Sequence, residues 1–280
     1  MSPVSALLSR WWPVSWMPDA WVLRHRPIPE ALWQATLRSY PFLGWRSPER
    51  LHTLRQLTAL FLARKQFTPL DGLTLTDEMA IAIAAQACLP VLRWGLAPYA
   101  SFVGVVIRAD QVVAQREWMD DAGVVHHHEE VLAGEAQPDG PIMLSWTDIH
   151  DEARSHQGYN VVVHEFAHAL DMHNGPDADG CPPLPRDISR AEWLETFWQG
   201  FDAHRNALAH GDPTWLDPYA ASQGLVEFFP VVCEAFFTAP HHLMQEQPAV
   251  HALLCRYFDE RPDEFAPHGR DASAQSLAIT

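Results

Sequence analysis

Several stretches of the chain place apolar residues at the spacing expected of a helix with one buried face. The segment after Ser47 shows this pattern from Leu51 to Phe67, and the proline that opens it suits a first helical turn. Thr76 stands before a mostly apolar segment that is stopped near Pro90, so it is predicted to cap a second helix. Both segments are predicted to be core helices.

The C-terminal half has the same kind of pattern. Ser189 is predicted to open a helix that reaches about residue 205, and two more helical segments follow near 226–239 and 246–259. Pro230 lacks an amide hydrogen and is poorly tolerated deep inside a helix. The helix around it is therefore predicted to begin at or just before Glu227.

Two short runs are typical of strands. The sequences FVGVVIR (102–108) and PIMLSW (141–146) are rich in β-branched and aromatic residues and are bounded by turn formers. Helices and strands mix without a regular alternation, which favours the α+β class. We also expect the second run to form a sheet edge along which an extended peptide could pair its backbone.

The chain shows no internal repeat and no long linker, which favours a single compact unit. We predict a variable N-terminal segment over 1–40, one domain over 41–260 and a flexible tail over 261–280. The N-terminal segment is rich in tryptophan, whose rings are expected to pack on the domain, with contact to a partner or membrane surface as the alternative. No run reaches the ~18 uninterrupted apolar residues of a transmembrane helix.

Charge and cysteine content narrow the class of protein. The formal net charge is −16, with 35 acidic and 19 basic side chains, so direct binding to nucleic acid or anionic lipid is not expected. Four cysteines stand far apart without a CxxC pair, which favours buried, reduced thiols and a cytoplasmic protein over a disulfide framework.

One apolar helix carries the chemistry. Asn160 is a good N-cap for the sequence VVVHEFAHAL that follows it. His164 and His168 are four residues apart and therefore share a helix face, opposite a wholly apolar face. Asp171 falls on the same face as the histidines, where it is expected to orient them. Two imidazole nitrogens at this spacing can converge on one metal ion.

Glu165 completes the pattern HExxH. It lies ~100° further round the helix than His164, too far to share the ligand set but near enough to reach a water molecule held by a metal. This is the arrangement in which a glutamate acts as general base beside zinc. The alternative is an exposed polar helix face that binds no metal. The well-defined helix ends and the apolar face opposite the histidines disfavour this alternative.

A third ligand has to come from elsewhere, since the extended pattern HExxHxxGxxH is absent. Glu192 and Glu195 lie on an ordinary amphipathic helix, where solvation explains them. Glu227 and Glu234 are embedded in an apolar segment, and burying an unpartnered carboxylate is costly. We therefore predict Glu227 as ligand and Glu234 as support for a ligand, while the reverse assignment and a plain salt bridge stay open.

Two further features are ambiguous from the residues alone. Tyr219 precedes Glu227 on a loop, where its hydroxyl could stabilise an oxyanion or its ring could simply pack. A second cluster of metal-binding residue types, His126 to Glu130, is predicted to lie on a loop. Consecutive side chains do not all face one ion, so binding there is expected to be adventitious.

Four separated segments resemble one known family, the Mlc titration factor A family of glucose-regulated zinc metallopeptidases, whose catalytic core is similar to that of anthrax lethal factor. The resemblance runs from about residue 40 to 260 and implies a predominantly helical, zincin-like fold with a small sheet beside the HExxH helix. The segments are NVVVHEFAHALDMHNG (160–175), GPIMLSW (140–146), LTDEMAIAIAAQACLPVLRWGL (75–96) and LDPYAASQGLVEFFPVVCEAFF (216–237).

Carried over to this sequence, the resemblance implies one zinc ion per chain with ligands His164, His168 and Glu227. It further implies Glu165 as general base and a transition-state role for Tyr219. The expected activity is aminopeptidase-like hydrolysis of peptides or proteins, and the expected partner is the sugar-responsive repressor Mlc or an equivalent regulator. The alternative is a non-catalytic zinc-containing module that sequesters a transcription regulator.

Overall fold

The computed structural model describes residue 14 and residues 16–267, except 103, 111, 120–124, 133, 136–139, 151–157 and 176–177; within 112–135 it describes the backbone alone. Helices are the main secondary structure of this part of the chain. They are α1 (Asp19–His25), α2 (Glu30–Ser39), α3 (Pro48–Arg64), α4 (Asp77–Ala87), α5 (Trp146–Ile149), α6 (Val161–Asp171), α7 (Arg190–His210), α8 (Leu225–Thr238), α9 (Pro240–Glu246) and α10 (Pro248–Phe258).

The strands form a small sheet and a separate antiparallel pair. The sheet has the order β1-β2-β6-β5, in which β1, β2 and β6 run parallel and β5 runs antiparallel to β6, while β3 pairs with β4. The strands are β1 (Gln66–Pro69), β2 (Gly104–Arg108), β3 (Val112–Met119), β4 (Val125–Leu132), β5 (Gly134–Glu135) and β6 (Ile142–Ser145). This mostly helical fold with a small sheet confirms the α+β class.

The predicted helix starts are confirmed by their caps. The side chains of Ser47, Thr76, Asn160 and Ser189 each accept a hydrogen bond from the backbone N–H three residues further on, which satisfies a donor that the helix leaves unpaired. Helix α7 runs five residues beyond its predicted end near 205. Helix α8 begins two residues before Glu227 and continues through its proline.

Strand β1 was missed by the sequence pattern, which placed Phe67 in the preceding helix. The chain leaves α3 at Lys65, whose backbone is extended, and residues 66–69 then pair in parallel with 104–107. Helix α4 lies between the two strands in sequence. The strands and this helix therefore form a parallel crossover, although the sequence pattern predicted no strand-helix-strand alternation. Parallel pairing depends on a distant strand, which a local pattern does not reveal.

The prediction of a free edge at residues 141–146 was wrong. Strand β6 pairs with β2 on one side and with β5 on the other, through Met143 and Leu144. The prediction of a loop over 126–130 was also wrong, because that segment lies in β4. In the described part of the chain, none of the helices has both the length and the apolar character needed to span a bilayer.

The hydrophobic core extends through the helices around α6. This helix packs against α8 and α4 and also touches β5 and β6. The core includes Val22, Ile28 and Trp33, which lie ahead of the predicted domain start at residue 41. That domain boundary stays a prediction. All four cysteines are free and buried, as expected for reduced thiols.

Candidate metal centre

Helix α6 presents its two histidines on one side because its other side is locked into the core. Val162, Val163 and Phe166 on the apolar face are fully buried. The side-chain oxygen of Asn160 accepts the Val163 N–H at 2.9 Å and fixes the first turn. The face that carries His164 is thereby held toward helix α8.

Three side chains converge on one point at this face. His164 Nε2 lies 3.1 Å from Glu227 Oε2 and 3.2 Å from His168 Nε2, and His168 Nε2 lies 3.5 Å from the same Glu227 oxygen. Donors that bind a tetrahedral zinc ion at about 2.0–2.1 Å stand about 3.3 Å from one another. The structure thus brings together the three residues that the sequence predicted as ligands, with the mutual distances of a metal site.

Glu234 lies on the far side of the His164 ring. The Nδ1–H of His164 donates to Glu234 Oε1 at 2.7 Å, and the backbone N–H of Asn160 donates to Glu234 Oε2. A hydrogen bond at Nδ1 fixes the tautomer that leaves Nε2 free to bind a metal. This geometry favours Glu227 over Glu234 as the ligand.

The supporting network reaches a residue that sequence reasoning missed. Gln86 on α4 is fully buried, and its Oε1 accepts a hydrogen bond from Asn160 Nδ2 at 2.7 Å. Asn160 therefore links Gln86 to the carboxylate that holds His164. The signal in the sequence was a lone amide in an otherwise apolar helix, since buried polar groups need partners.

The electrostatics of the cluster favour positive charge. Burial lowers the pKa of His164, but the carboxylates of Glu227 and Glu234 outweigh it and hold that pKa well above its usual range. Burial likewise raises the pKa of Glu227, but hydrogen bonds and charge from His164 and His168 bring it well below its usual range. An ionised carboxylate therefore faces two imidazoles.

Glu165 is buried next to this cluster, with 6% of its surface exposed. Burial raises the pKa of its carboxyl group, and the charges of His164 and His168 act in the opposite direction. A carboxylate with a raised pKa is a better proton acceptor than an exposed one. Its setting suits the role of a general base.

Tyr219 stands over the His164 ring. The two ring centroids are 6.1 Å apart with a tilt of 46°, and 42% of Tyr219 is exposed. It lies in a 3-10 turn over Pro218–Ala221, which Asp217 caps by accepting the Tyr219 N–H at 2.9 Å. A half-exposed ring beside His164 would be accessible to a substrate bound at the cluster.

Asp171 makes a different contact from the one expected. Its Oδ2 accepts the backbone N–H of Gly180 at 2.7 Å, so it ties the loop after α6 back to that helix. Burial raises the pKa of the Asp171 carboxyl to about 6. Its role in orienting His168 stays a prediction.

The two glutamates that the sequence set aside lie on α7. Glu192 pairs with Arg256, and Glu195 accepts a hydrogen bond from Gln199 at 3.4 Å. Neither belongs to the metal-type cluster around His164.

The donor set fits a zinc ion. Two imidazole nitrogens and one carboxylate oxygen are typical ligands of catalytic zinc, which keeps a further position open. The nitrogens of His164 and His168 face each other at 3.2 Å, where two lone pairs repel unless a cation or proton lies between them. A metal ion resolves this contact, and the buried charge of Glu227 as well.

Comparison with known proteins identifies the family of this chain. The family model described as "Glucose-regulated metallo-peptidase M90" matches residues 14–259. The chain belongs to this family. The match starts well before the resemblance noted from the sequence, near residue 40, and so takes in helices α1 and α2 of the M90 chain.

Curated relatives of this M90 protein are named "Mlc titration factor A". One from Pectobacterium atrosepticum is 34% identical over 233 residues, which covers 82% of this chain and 86% of the relative. One from Klebsiella pneumoniae is 35% identical, with coverage of 83% and 87%. One from Escherichia coli O1:K1 is 34% identical, with coverage of 87% and 91%. The family predicted from the sequence is confirmed.

The Glu234 contact leads to a first prediction. Glu234→Gln keeps the shape of the side chain, but His164 Nδ1–H and the Asn160 N–H donate to different oxygens of Glu234, and an amide has only one acceptor atom. We expect zinc affinity to fall by about 10- to 100-fold, because a partner that orients a ligand is lost. Competition with a chelating dye measures this change. Glu195→Gln, the same exchange on the surface of α7, is the control, and equal affinities in the two variants would contradict the role of Glu234.

Proposed function

We propose that the protein is a zinc-dependent peptidase that hydrolyses peptide bonds with metal-activated water. The observation that carries this proposal is the convergence of His164, His168 and Glu227 at 3.1–3.5 Å from one another with Glu165 buried alongside. A closed structural zinc site has no need of a general base next to it. Membership of a metallopeptidase family supports the same conclusion.

His164, His168 and Glu227 would hold the ion, and Glu234 would keep His164 in the binding tautomer. When bound, zinc polarises a carbonyl group and brings the pKa of water to about 7. Glu165 accepts the proton of the attacking water and delivers it to the leaving amine. Tyr219 would donate its hydroxyl hydrogen to the oxyanion that develops on the substrate carbonyl.

The substrate class that we propose is peptides with a free N-terminus, cleaved in an aminopeptidase-like manner in the cytoplasm. We do not propose that an extended peptide pairs with β6, because both sides of that strand are already paired. The half-exposed ring of Tyr219 over His164 is the surface to which we assign substrate contact instead.

A second function is supported by the relatives. Their name, Mlc titration factor A, suggests that they bind the regulator Mlc, and we propose that this chain binds Mlc or an equivalent repressor and relieves its action. A non-catalytic module that sequesters a regulator is the alternative to an enzyme. The two differ in whether the zinc-loaded chain turns over substrate.

Hydrolysis by the zinc-loaded chain tests the proposal. We expect release of chromophore from aminoacyl chromogenic substrates, weak or no cleavage of the same peptides with a blocked N-terminus, and loss of activity after chelation. One equivalent of zinc should restore the rate. A chain that holds zinc at His164 and cleaves neither class of peptide would contradict the peptidase and leave the regulator-binding module as the better description.

A further inference from the structure

A second group of metal-binding side chains lies at the C-terminal end of the described chain. His251 and Cys255 are four residues apart on α10, and Asp263 lies in the 3-10 turn Pro262–Glu264 that follows. One ligand atom from each lies within 4.8 Å of the others. His251 and Cys255 are 4% and 6% exposed, so this is an interior cluster and not a solvated surface.

The fold holds these three residues together by contacts outside the cluster. Helix α10 ends at Phe258, and the next residue, Asp259, has a left-handed φ of 53° that reverses the chain. Arg50 on α3 fixes this reversal by donating to the Asp259 backbone oxygen at 2.5 Å and to its Oδ2 at 2.6 Å. The turn is closed by the Ala266 N–H, which donates to the Pro262 oxygen at 2.8 Å. Asp263 is thereby placed against α10 whether or not a metal is bound.

The two distances from His251 to the other donors approach those of a tetrahedral site. His251 Nε2 is 3.4 Å from Asp263 Oδ1, close to the about 3.3 Å between nitrogen and oxygen donors on one zinc ion. Cys255 Sγ is 3.9 Å from His251 Nε2, against about 3.6 Å expected for a sulfur and a nitrogen donor. The sulfur is also 3.8 Å from Nδ1, so the imidazole has to rotate to aim Nε2 at the ion.

One polar atom of the cluster lacks a well-formed hydrogen bond within the described residues. Asp263 Oδ1 is buried, and its 3.4 Å contact with His251 Nε2 is not a well-formed hydrogen bond. A buried carboxylate oxygen without a well-formed hydrogen bond is costly, and a cation between it, His251 and Cys255 would remove that cost. The positive charge nearby on Arg261 is exposed and is paired with Glu264 at 3.6 Å.

We propose that His251, Cys255 and Asp263 form a second metal site that binds a zinc-class divalent transition-metal ion. The mixture of sulfur, nitrogen and oxygen donors suits zinc and cobalt, whereas calcium and magnesium require oxygen ligands. Three protein donors leave one position of a tetrahedral ion to solvent. A cavity of about 280 Å³ that Cys255 helps to line, together with Arg46, Arg50 and Arg261, adjoins the thiol side of the site.

The second site is chemically distinct from the centre on α6. No residue is shared, and its cysteine is a donor type that the cluster around His164 lacks. An ion here would join helix α10 to the turn that carries Asp263, a chain reversal that otherwise depends on Arg50. The site is independent of the proposed peptidase and would hold equally in a regulator-binding module.

Cobalt binding to the full chain tests this proposal, since a thiolate on cobalt gives a charge-transfer absorption that nitrogen and oxygen ligands do not. The chain is stripped with a chelator and titrated with Co²⁺ alone, and bound metal is counted. We expect two ions per wild-type chain with the thiolate absorption. Cys255→Ser should bind one ion without it, while His164→Ala should keep the absorption and lose the other ion.

Cys181→Ser is the matched control, because Cys181 is also buried and free but stands outside the cluster. Its spectrum should equal that of the wild type. Asp263→Asn covers the case in which Cys255→Ser fails to fold, because Asp263 is the most exposed of the three at 14% of its side chain. This variant should lower the metal affinity of the sulfur-containing site by about 10-fold or more. Adding stoichiometric zinc to the cobalt-loaded chain should abolish the thiolate absorption.

The proposal is overturned by any of three results. These are a folded wild-type chain saturated with Co²⁺ that shows no thiolate absorption, an absorption that persists in Cys255→Ser, and an Asp263→Asn variant with unchanged affinity at the sulfur-containing site. A wild-type chain that shows the thiolate absorption but binds no ion at His164 would contradict the proposed peptidase and leave the second metal site standing.

Discussion

Replacing Glu165 with glutamine should lower peptide turnover by about 100-fold or more and leave the zinc content of the chain unchanged. Glutamine has the shape of glutamate but cannot accept a proton at neutral pH, and general-base catalysis contributes about 10²–10⁴-fold to a rate. The metal should stay bound, because Glu165 lies outside the group formed by His164, His168 and Glu227. The loss should appear in kcat, with little change in KM, since the proton transfer belongs to the transition state.

Steady-state kinetics on an aminoacyl chromogenic substrate, with zinc measured in the same samples, check this result. Glu195→Gln makes the same exchange on the exposed side of α7 and should keep full activity. Binding of a regulator, where one exists, should be equal in Glu165→Gln and the wild type. A Glu165→Gln variant that holds zinc and retains more than about a tenth of the turnover would assign the general base to another group.

The histidine pair could be predicted from the sequence because its geometry is local. Residues four apart on a helix share a face whatever surrounds them, and the cap at Asn160 fixed where the helix begins. Glu227 could be predicted for a different reason, since its apolar neighbours left an ionised side chain in need of a partner. That argument found the pair Glu227 and Glu234 and favoured Glu227 as the ligand, but it left the reverse assignment open until the contacts of the His164 ring were known.

The remaining features depend on residues that are distant in sequence. Strand β1 is four residues long, and only its pairing with β2 identifies it as a strand. Gln86 and Asn160 are 74 residues apart, so no periodicity could join them. The approach of Asp263 to His251 likewise depends on the left-handed residue Asp259, a conformation that the sequence did not indicate.

Gly180 shows how closely the loop after α6 approaches the helix that carries Glu227. Its φ is +74°, and a Cβ added there would lie 2.5 Å from both Cβ and the backbone oxygen of Leu225, the first residue of α8. Its N–H and C=O are both used, by Asp171 and by the Trp193 indole N–H. The backbone at Gly180 is therefore unable to move away from an added side chain without breaking buried hydrogen bonds.

Gly180→Ala should therefore destabilise the fold by about 3 kcal/mol or more, as left-handed strain adds to overpacking against backbone atoms. Gly211 is the matched control, since its φ is also +74° but no described atom lies within 4 Å of an added Cβ, so Gly211→Ala should cost about 1 kcal/mol. At about 2–4 °C per kcal/mol, the melting temperature should fall by about 6–12 °C in Gly180→Ala and by about 2–4 °C in Gly211→Ala. Because displacing Leu225 moves the first turn of α8, Gly180→Ala should also weaken zinc binding through Glu227, whereas Gly211→Ala should not. Equal melting temperatures in the two variants would show that the loop and α8 are further apart than this contact requires.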